Sequence, residues 1–211
     1  MKGLMIKDLC LLLKRKQTLL IFLLICVVMT YAQGGVFSIG YSSMLMLIWA
    51  LSTLSFDESG HGITFLLTLP VTRKIYVFEK YLFCLLACIC GWLIGLTLAT
   101  GVAIFTGTAL LPLPELLAST GILIPVLLSA ELMIPVQLKY GQERSRLMMI
   151  LFMMLIVSAA MAAANAADGA LGAALERIPD GIFLIAGFLF TAVCGAASAK
   201  ASIRILEKKE L

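Results

Sequence analysis

The sequence has 211 residues, of which 62% are hydrophobic and 13% charged, with a formal net charge of +4. Its mean hydropathy is +1.07. A soluble domain is about half apolar and about a quarter charged, so this composition excludes an ordinary soluble core and favours the bilayer as the solvent.

The cysteines and the single histidine do not form a metal-binding pattern. The six cysteines all lie in apolar runs: Cys10, Cys26, Cys84, Cys88, Cys90 and Cys194. In such surroundings cysteine behaves as a small buried hydrophobe. A paired zinc motif needs two sets of ligands, and Cys84, Cys88 and Cys90 form one cluster without a second. We expect no metal site, no cofactor site and no catalytic residue in this chain.

Residues 1–16 predict an amphipathic helix. Lys7 and Asp8 are followed one heptad later by Lys14 and Arg15, which places them on one helical face, and leucines fill much of the remaining surface. A helix of this kind lies in the membrane interface with its basic face toward anionic headgroups. The alternative is a continuous cytoplasmic extension of the first membrane span.

Six apolar runs are long enough to cross a bilayer, which needs about 20 residues per helix. The predicted spans are residues 17–34, 35–55, 81–106, 116–138, 147–166 and 181–199. The first two spans follow each other without a connecting loop, so Gln33, Gly34 and Gly35 must form a tight turn. The sequence therefore predicts an all-α membrane protein with a single transmembrane domain, residues 1–211.

The basic residues predict how these spans are oriented. Of the 16 lysines and arginines, all but Arg177 precede span one, follow span six, or lie between spans two and three or four and five. With six spans, these segments share one side of the membrane. The positive-inside rule then places both termini in the cytoplasm. We expect a multi-pass protein of the cytoplasmic (inner) membrane of a prokaryote.

The insert between spans two and three, residues 56–80, is amphipathic. A short apolar run from Ile63 to Leu69 ends at Pro70, and Thr72 is a plausible N-cap for a new helix that continues into span three. Asp57 and Glu58 precede this corner, and basic residues follow it. The shape suits docking against a cytoplasmic partner, and the alternative is a mere interfacial connector.

Small residues at four-residue spacing occur in two spans. Gly91 and Gly95 form a GxxxG motif in span three, and Gly187, Thr191 and Gly195 form a stripe in span six. Such stripes let helix backbones approach closely, either inside one bundle or between subunits.

Span four contains a carboxyl group between two prolines. Glu131 lies between Pro125 and Pro135 and two turns before Lys139. Proline removes a backbone donor and tends to kink a helix. A carboxyl inside the membrane is costly and usually faces a partner or water. Two interpretations stay open: a polar point on a translocation route, or a neutral or paired side chain that holds helices together.

The insert resembles the signature of ATP-binding-cassette type 2 permeases. The matching positions are Asp57, Glu58, Gly62, Leu66, Leu67, Pro70, Val71, Thr72, Arg73, Ile75 and Lys80. The start of the chain is similar to the family's amphipathic N-terminal helix. A second cytoplasmic loop of one small-permease branch matches at Lys139, Tyr140, Gly141, Glu143 and Arg146. The pair Ile63 and Thr64 departs from the usual order of a threonine followed by an apolar residue.

The resemblance implies a permease subunit of an ATP-driven exporter, in which the insert is the coupling helix seated in an ATPase. The sequence has no phosphate loop of the form GxxxxGK[ST]. ATP and Mg²⁺ would therefore be bound by a separate cytoplasmic ATPase subunit. The other expected partners are a second permease copy or a related permease and membrane lipids, with no nucleic acid. The substrate, a peptide, a lipid-like molecule or a drug, stays open.

Two other classes of function compete with this interpretation. An intramembrane zinc protease needs paired histidines, and His61 is the single histidine of the sequence. A serine enzyme needs a base that faces the serine, whereas Ser129 and Glu131 are two residues apart and point away from each other on a helix. A non-transporting membrane anchor, immunity or sensor subunit is the stronger alternative.

Overall fold

The computed structural model describes residues 2–14, 16–58, 72–107, 112–167 and 180–208. In these ranges the chain is α-helical throughout, apart from short turns and caps, and contains no strand. The helices are α1 Lys2–Leu13, α2 Lys16–Gln33, α3 Gly35–Glu58, α4 Arg73–Thr106, α5 Leu113–Gly121, α6 Leu123–Ala167 and α7 Asp180–Lys208. The predicted all-α fold is confirmed.

Five helices in the described part are long and apolar enough to cross a membrane: Lys16–Gln33, Gly35–Asp57, Arg73–Thr106, Glu115–Gly141 and Leu184–Lys208. They match five of the six predicted spans, and the chain is a multi-pass membrane protein. The remaining predicted span, 147–166, falls in the helical second part of α6, where most side chains lie outside the described structure. That span stays a prediction.

The first three helices follow each other closely along the chain. The helix α1 ends at Leu13 and α2 begins at Lys16. Gly34 has φ +89, a left-handed conformation that glycine adopts without strain, and this residue alone separates α2 from α3. The predicted tight turn is confirmed.

Pro125 explains the break between α5 and α6. A proline has no N–H, so it cannot bond the carbonyl of the residue four positions earlier, which here is Gly121, the last residue of α5. Pro135 lacks the same donor but lies inside α6 without ending it. The sequence therefore predicted the irregularity of span four, although only one of its two prolines interrupts the helix.

The core lies where α3 and α4 pack against each other and against α6. It contains buried apolar residues from these helices, with contributions from α1 and α7: Leu4, Leu12, Leu47, Leu51, Leu54, Val77, Phe83, Cys84, Cys88, Ile134, Leu138 and Leu206 among them. In contrast, α2 and α7 carry many exposed apolar side chains, including Leu20, Leu24, Ile185, Leu189 and Val193. Surfaces of this kind are suited to contact with lipid.

The glycines of α4 face α3 inside the chain. A Cβ atom on Gly91 would lie 2.8 Å from the carbonyl oxygen of Ser42, and one on Gly95 would lie 2.7 Å from Cα of Ile39. The close contact of the two helices allows the Ser42 hydroxyl to donate to the carbonyl of Gly91 at 2.8 Å. The GxxxG motif therefore packs helices within one chain.

The small-residue stripe of α7 also faces its own chain. Gly187 lies against the side chain of Ile124, and Gly195 lies against the carboxyl group of Glu131. Thr191, between them, is buried and donates to the carbonyl of Phe188. The two motifs are thus used to join α4 to α3 and α7 to α6.

Candidate functional site

Four charged side chains from α1, α3 and α4 meet beside the two ends of the insert, and we call them the charged cluster: Lys7, Asp8, Asp57 and Lys80. The ammonium group of Lys80 lies 2.8 Å from Asp57 Oδ2 and also pairs with Asp8. Lys7 pairs with Asp57 at 2.5 Å and lies 3.2 Å from Asp8 Oδ1. The formal charges of the cluster sum to zero.

Burial makes this pairing essential. The side chains of Asp8 and Lys80 are 0% and 3% exposed, and that of Asp57 is 7% exposed. Moving an ion out of water costs several kcal/mol, which mutual attraction repays only when the geometry is good and further hydrogen bonds are made. Those bonds are present: Tyr76 donates its hydroxyl to Asp57 Oδ2 at 3.2 Å, and Lys80 donates to Thr53 Oγ1 at 3.4 Å.

The charged cluster closes the chain across the insert. Asp57 lies in the last turn of α3 and Lys80 lies two turns into α4, so their ion pair joins the two ends of the insert. Asp8 brings α1 to the same point. The two ends of the insert are therefore held in a fixed frame made of three helices.

The exit from the insert has the predicted cap. Thr72 has extended backbone angles, φ −76 and ψ 147, and its side-chain oxygen accepts from the N–H of Ile75 at 3.4 Å. The helix that begins at Arg73 then runs without a break to Thr106. Both the N-cap and the continuous helix into span three are confirmed.

Arg73 binds the end of another helix. Its Nη1 donates to the carbonyl oxygens of Leu206 and Glu207 at 3.0 and 2.9 Å. The last carbonyls of an α-helix have no partner within the helix, and a cation there also meets the negative end of the helix dipole. Arg73 therefore fastens the start of α4 to the carboxyl end of α7.

The other residues predicted for ATPase coupling fall mostly outside the described part of the chain. Gly62, Leu66, Leu67, Pro70 and Val71 all lie there, as does His61. Glu58 is the last residue of α3, and its side chain is not described. Their coupling role stays a prediction.

At the predicted second cytoplasmic loop, the structure shows a break in the helix at one residue, Gly141. Helix continues on both sides of Gly141, which has φ +78 and ψ 179 and breaks α6 at a single residue. Lys139 and Tyr140 are exposed, and the Lys139 ammonium lies 4.9 Å from the centre of the Tyr140 ring. Glu143 and Arg146 occupy helical positions, with side chains outside the described structure. A positive φ is what requires glycine here.

Pro135 also shapes the surroundings of Glu131. Because proline has no N–H, the carbonyl of Glu131, four residues earlier, loses its partner within the helix. The hydroxyl of Ser198 on α7 donates to that carbonyl instead. Ser198 is in turn hydrogen-bonded to the Tyr81 hydroxyl at 2.7 Å, so α4, α6 and α7 are joined at this point.

The two oxygens of the Glu131 carboxyl group have different surroundings. Its Oε1 atom lies against Gly195, where an added Cβ would be 2.8 Å away. Its Oε2 atom is buried and has no hydrogen-bond donor among the described residues. Glu131 lines two cavities, of about 280 and 300 Å³.

The roles of Lys7 and Asp8 differ from those expected from the sequence. Both were expected on a helical face turned toward lipid headgroups, whereas Asp8 is fully buried and faces Lys80. A signal was present: Leu4, Asp8 and Leu12 follow each other at four-residue spacing, and all three are buried. An acid placed between two leucines on one helical face indicates an inward position with a basic partner.

The comparison with protein families agrees with the resemblance found in the sequence. The model of the ABC-2 family transporter protein matches residues 3–207. No curated protein and no solved structure matches the chain. The match spans nearly all of the 211 residues, from α1 to the end of α7, and includes every residue of the charged cluster. The chain therefore belongs to the ABC-2 family of transporter proteins and is a membrane component of such a transporter.

Proposed function

We propose that this chain is the permease subunit of an ATP-driven exporter. Members of the family generally work with a cytoplasmic ATPase. In the proposed complex that ATPase binds ATP and Mg²⁺, and residues 56–80, the coupling segment, dock into it. The exported substrate would be a peptide, a lipid-like molecule or a drug, and two permease copies or two related permeases would form the complete transporter.

The observation that carries this proposal is the frame around the coupling segment. The Lys80–Asp57 ion pair joins its two flanks, Asp8 adds α1, and Arg73 adds the end of α7. A displacement of the segment by the ATPase would therefore act on several helices together. A loosely attached connector would instead absorb the displacement.

Two variants of the coupling segment test its docking into the ATPase separately from the transmission of its movement to the other helices. Leu67→Ala should weaken capture of the ATPase about tenfold, which corresponds to about 1.4 kcal/mol, because it shortens an apolar side chain of the docking segment. Arg73→Ala should preserve capture but reduce substrate-stimulated ATP hydrolysis, because its contacts are to α7. Both would be measured on the permease together with the ATPase that co-purifies with it.

Arg204→Ala is the matched control for Arg73→Ala, since Arg204 is an exposed arginine of α7 and lies outside the coupling segment. It should behave as the unaltered chain in both measurements. If Leu67→Ala and Arg73→Ala leave ATPase capture and ATP hydrolysis unchanged, the docking proposal is rejected.

The proposed orientation gives an independent test. Both termini should lie in the cytoplasm, because the basic residues concentrate on one side when six spans are present. A fluorescent protein that folds only in the cytoplasm should be bright at either terminus, and alkaline phosphatase there should be inactive. An active phosphatase fusion at one terminus would contradict the six-span arrangement.

A further inference from the structure

We propose that the two cavities beside Glu131 form a binding site for a lipophilic organic monocation. The site would lie between α4, α6 and α7, with the Glu131 carboxylate as counter-ion. The inference deepens the proposed function and rests on it for the role of the ligand as an exported substrate. The binding site itself is a property of this chain alone.

The carboxyl group supplies the charge. Among the described residues that line the two cavities, Glu131 is the single acidic side chain, and none is basic. One carboxylate balances one positive charge, and Oε2 has no donor among the described residues. A carboxylate in apolar surroundings is costly unless a cation is near, so the site favours cations and disfavours anions.

The walls indicate that the cation is organic. Apart from Glu131, the linings are mainly aliphatic and aromatic. They include Leu127 and Ile134 in the first cavity and Pro125 and Phe190 in the second. A metal such as Ca²⁺ takes six to eight oxygen ligands, which these walls do not offer. Each cavity is close to the lower limit of about 300 Å³ for small-molecule sites, so the two together accommodate an apolar body around one charge.

The route of entry indicates that the ligand is lipophilic. Leu85 lines the first cavity, and Leu132 and Phe190 line the second, and all three are also exposed on the outside of helices that span the membrane. Both cavities therefore adjoin the lipid-facing surface. A ligand that partitions into the bilayer would reach Glu131 sideways, without passing through water.

Gly195 holds the carboxyl group in place. Its missing side chain leaves room for Oε1 against the backbone of α7, and Ser198, one turn later, binds the Glu131 carbonyl. An alanine at position 195 would need Oε1, which lies at the end of a flexible side chain, to move. Gly195→Ala should thus displace the charge without removing it.

The test uses a pair of probes with similar shape and opposite charge. The permease alone, purified in an uncharged detergent, is titrated with tetraphenylphosphonium or tetraphenylborate in equilibrium dialysis. Tetraphenylphosphonium should bind and tetraphenylborate should not. Glu131→Gln should weaken tetraphenylphosphonium binding about tenfold or more, Gly195→Ala should also weaken it, and Glu131→Asp should retain part of it.

Glu115→Gln is the matched control, because Glu115 is an exposed carboxyl in the first turn of α5 and lines neither cavity. The inference is overturned if Glu131→Gln binds tetraphenylphosphonium as tightly as Glu115→Gln, or if both probes bind equally. Thermal unfolding of each variant identifies a loss of binding that results from misfolding, and Gly195→Ala provides a second variant in which the carboxyl is kept.

The two proposals fail in different measurements. If tetraphenylphosphonium binds through Glu131 but never alters ATP hydrolysis of the assembled complex, the site stands and its role in export is rejected. If the complex hydrolyses ATP normally but the permease does not bind the cation, the site is rejected and the proposed function stands.

Discussion

Lys80→Met is expected to destabilise the chain by about 3–5 kcal/mol, because removing one partner of a buried ion pair leaves an uncompensated charge. Here two buried carboxylates, Asp8 and Asp57, would share the single ammonium group of Lys7. The free energy of unfolding, or the midpoint of thermal unfolding in detergent, measures the effect.

Three further variants make this result specific to the charged cluster. Lys74→Met alters an exposed lysine of the same helix and should have little effect. Lys7→Met should cost less than Lys80→Met, because the Lys7 side chain is 31% exposed and that of Lys80 is 3% exposed. Adding Asp8→Asn to Lys80→Met should recover part of the loss, since it removes one of the unpaired charges.

Equal stability of Lys80→Met and Lys74→Met would show that the cluster contributes nothing to folding. The frame around the coupling segment would then have to be held by apolar packing alone. The Asp8→Asn variant alone completes a double-mutant cycle, and the recovery in the double variant then gives the coupling energy between Asp8 and Lys80.

Gly91→Ala is expected to have the second large effect. Its Cβ would lie 2.8 Å from the Ser42 carbonyl oxygen and 2.8 Å from Cα of Ser43, and both are backbone atoms that move only if α3 moves. Forcing extra volume into a packed interface costs about 1–3 kcal/mol. The same change would weaken the hydrogen bond from Ser42 to the carbonyl of Gly91.

Gly101→Ala is the control, because Gly101 lies on the same helix and a Cβ there meets nothing within 4 Å. Both variants gain about 1 kcal/mol of intrinsic helix stability from alanine. The difference between their unfolding midpoints therefore isolates the helix contact. A midpoint for Gly91→Ala at or above that of Gly101→Ala would mean that α3 and α4 do not approach each other here.

Local signals in the sequence predicted local structure well. Gly34 marked the turn between α2 and α3, Thr72 marked the start of α4, and Pro125 marked the break before α6. Each is a residue whose own backbone chemistry decides its position, through a positive φ, a capping oxygen or a missing N–H. No knowledge of distant residues was needed for these predictions.

Contacts between distant residues were harder to predict. The pairing of Asp8 with Lys80 joins residues 72 positions apart. The periodicity of α1 does not indicate which distant residue pairs with Asp8. The contact of Arg73 with the end of α7 could not be predicted either, because the sequence does not show that these two parts of the chain lie side by side. Gly141 was placed in a loop, since a single glycine that interrupts a helix leaves the same composition as a short connection.

Helix α7 also sets a distance between the two proposed sites. Arg73 holds the carbonyl of Leu206, and Gly195, eleven residues earlier on the same unbroken helix, supports the Glu131 carboxyl. At a rise of 1.5 Å per residue, about 16 Å of helix lies between them. A straight helix without proline or a break transmits axial displacement with little loss. Movement at the base of the coupling segment would then reach the Glu131 cavities as a shift of one wall.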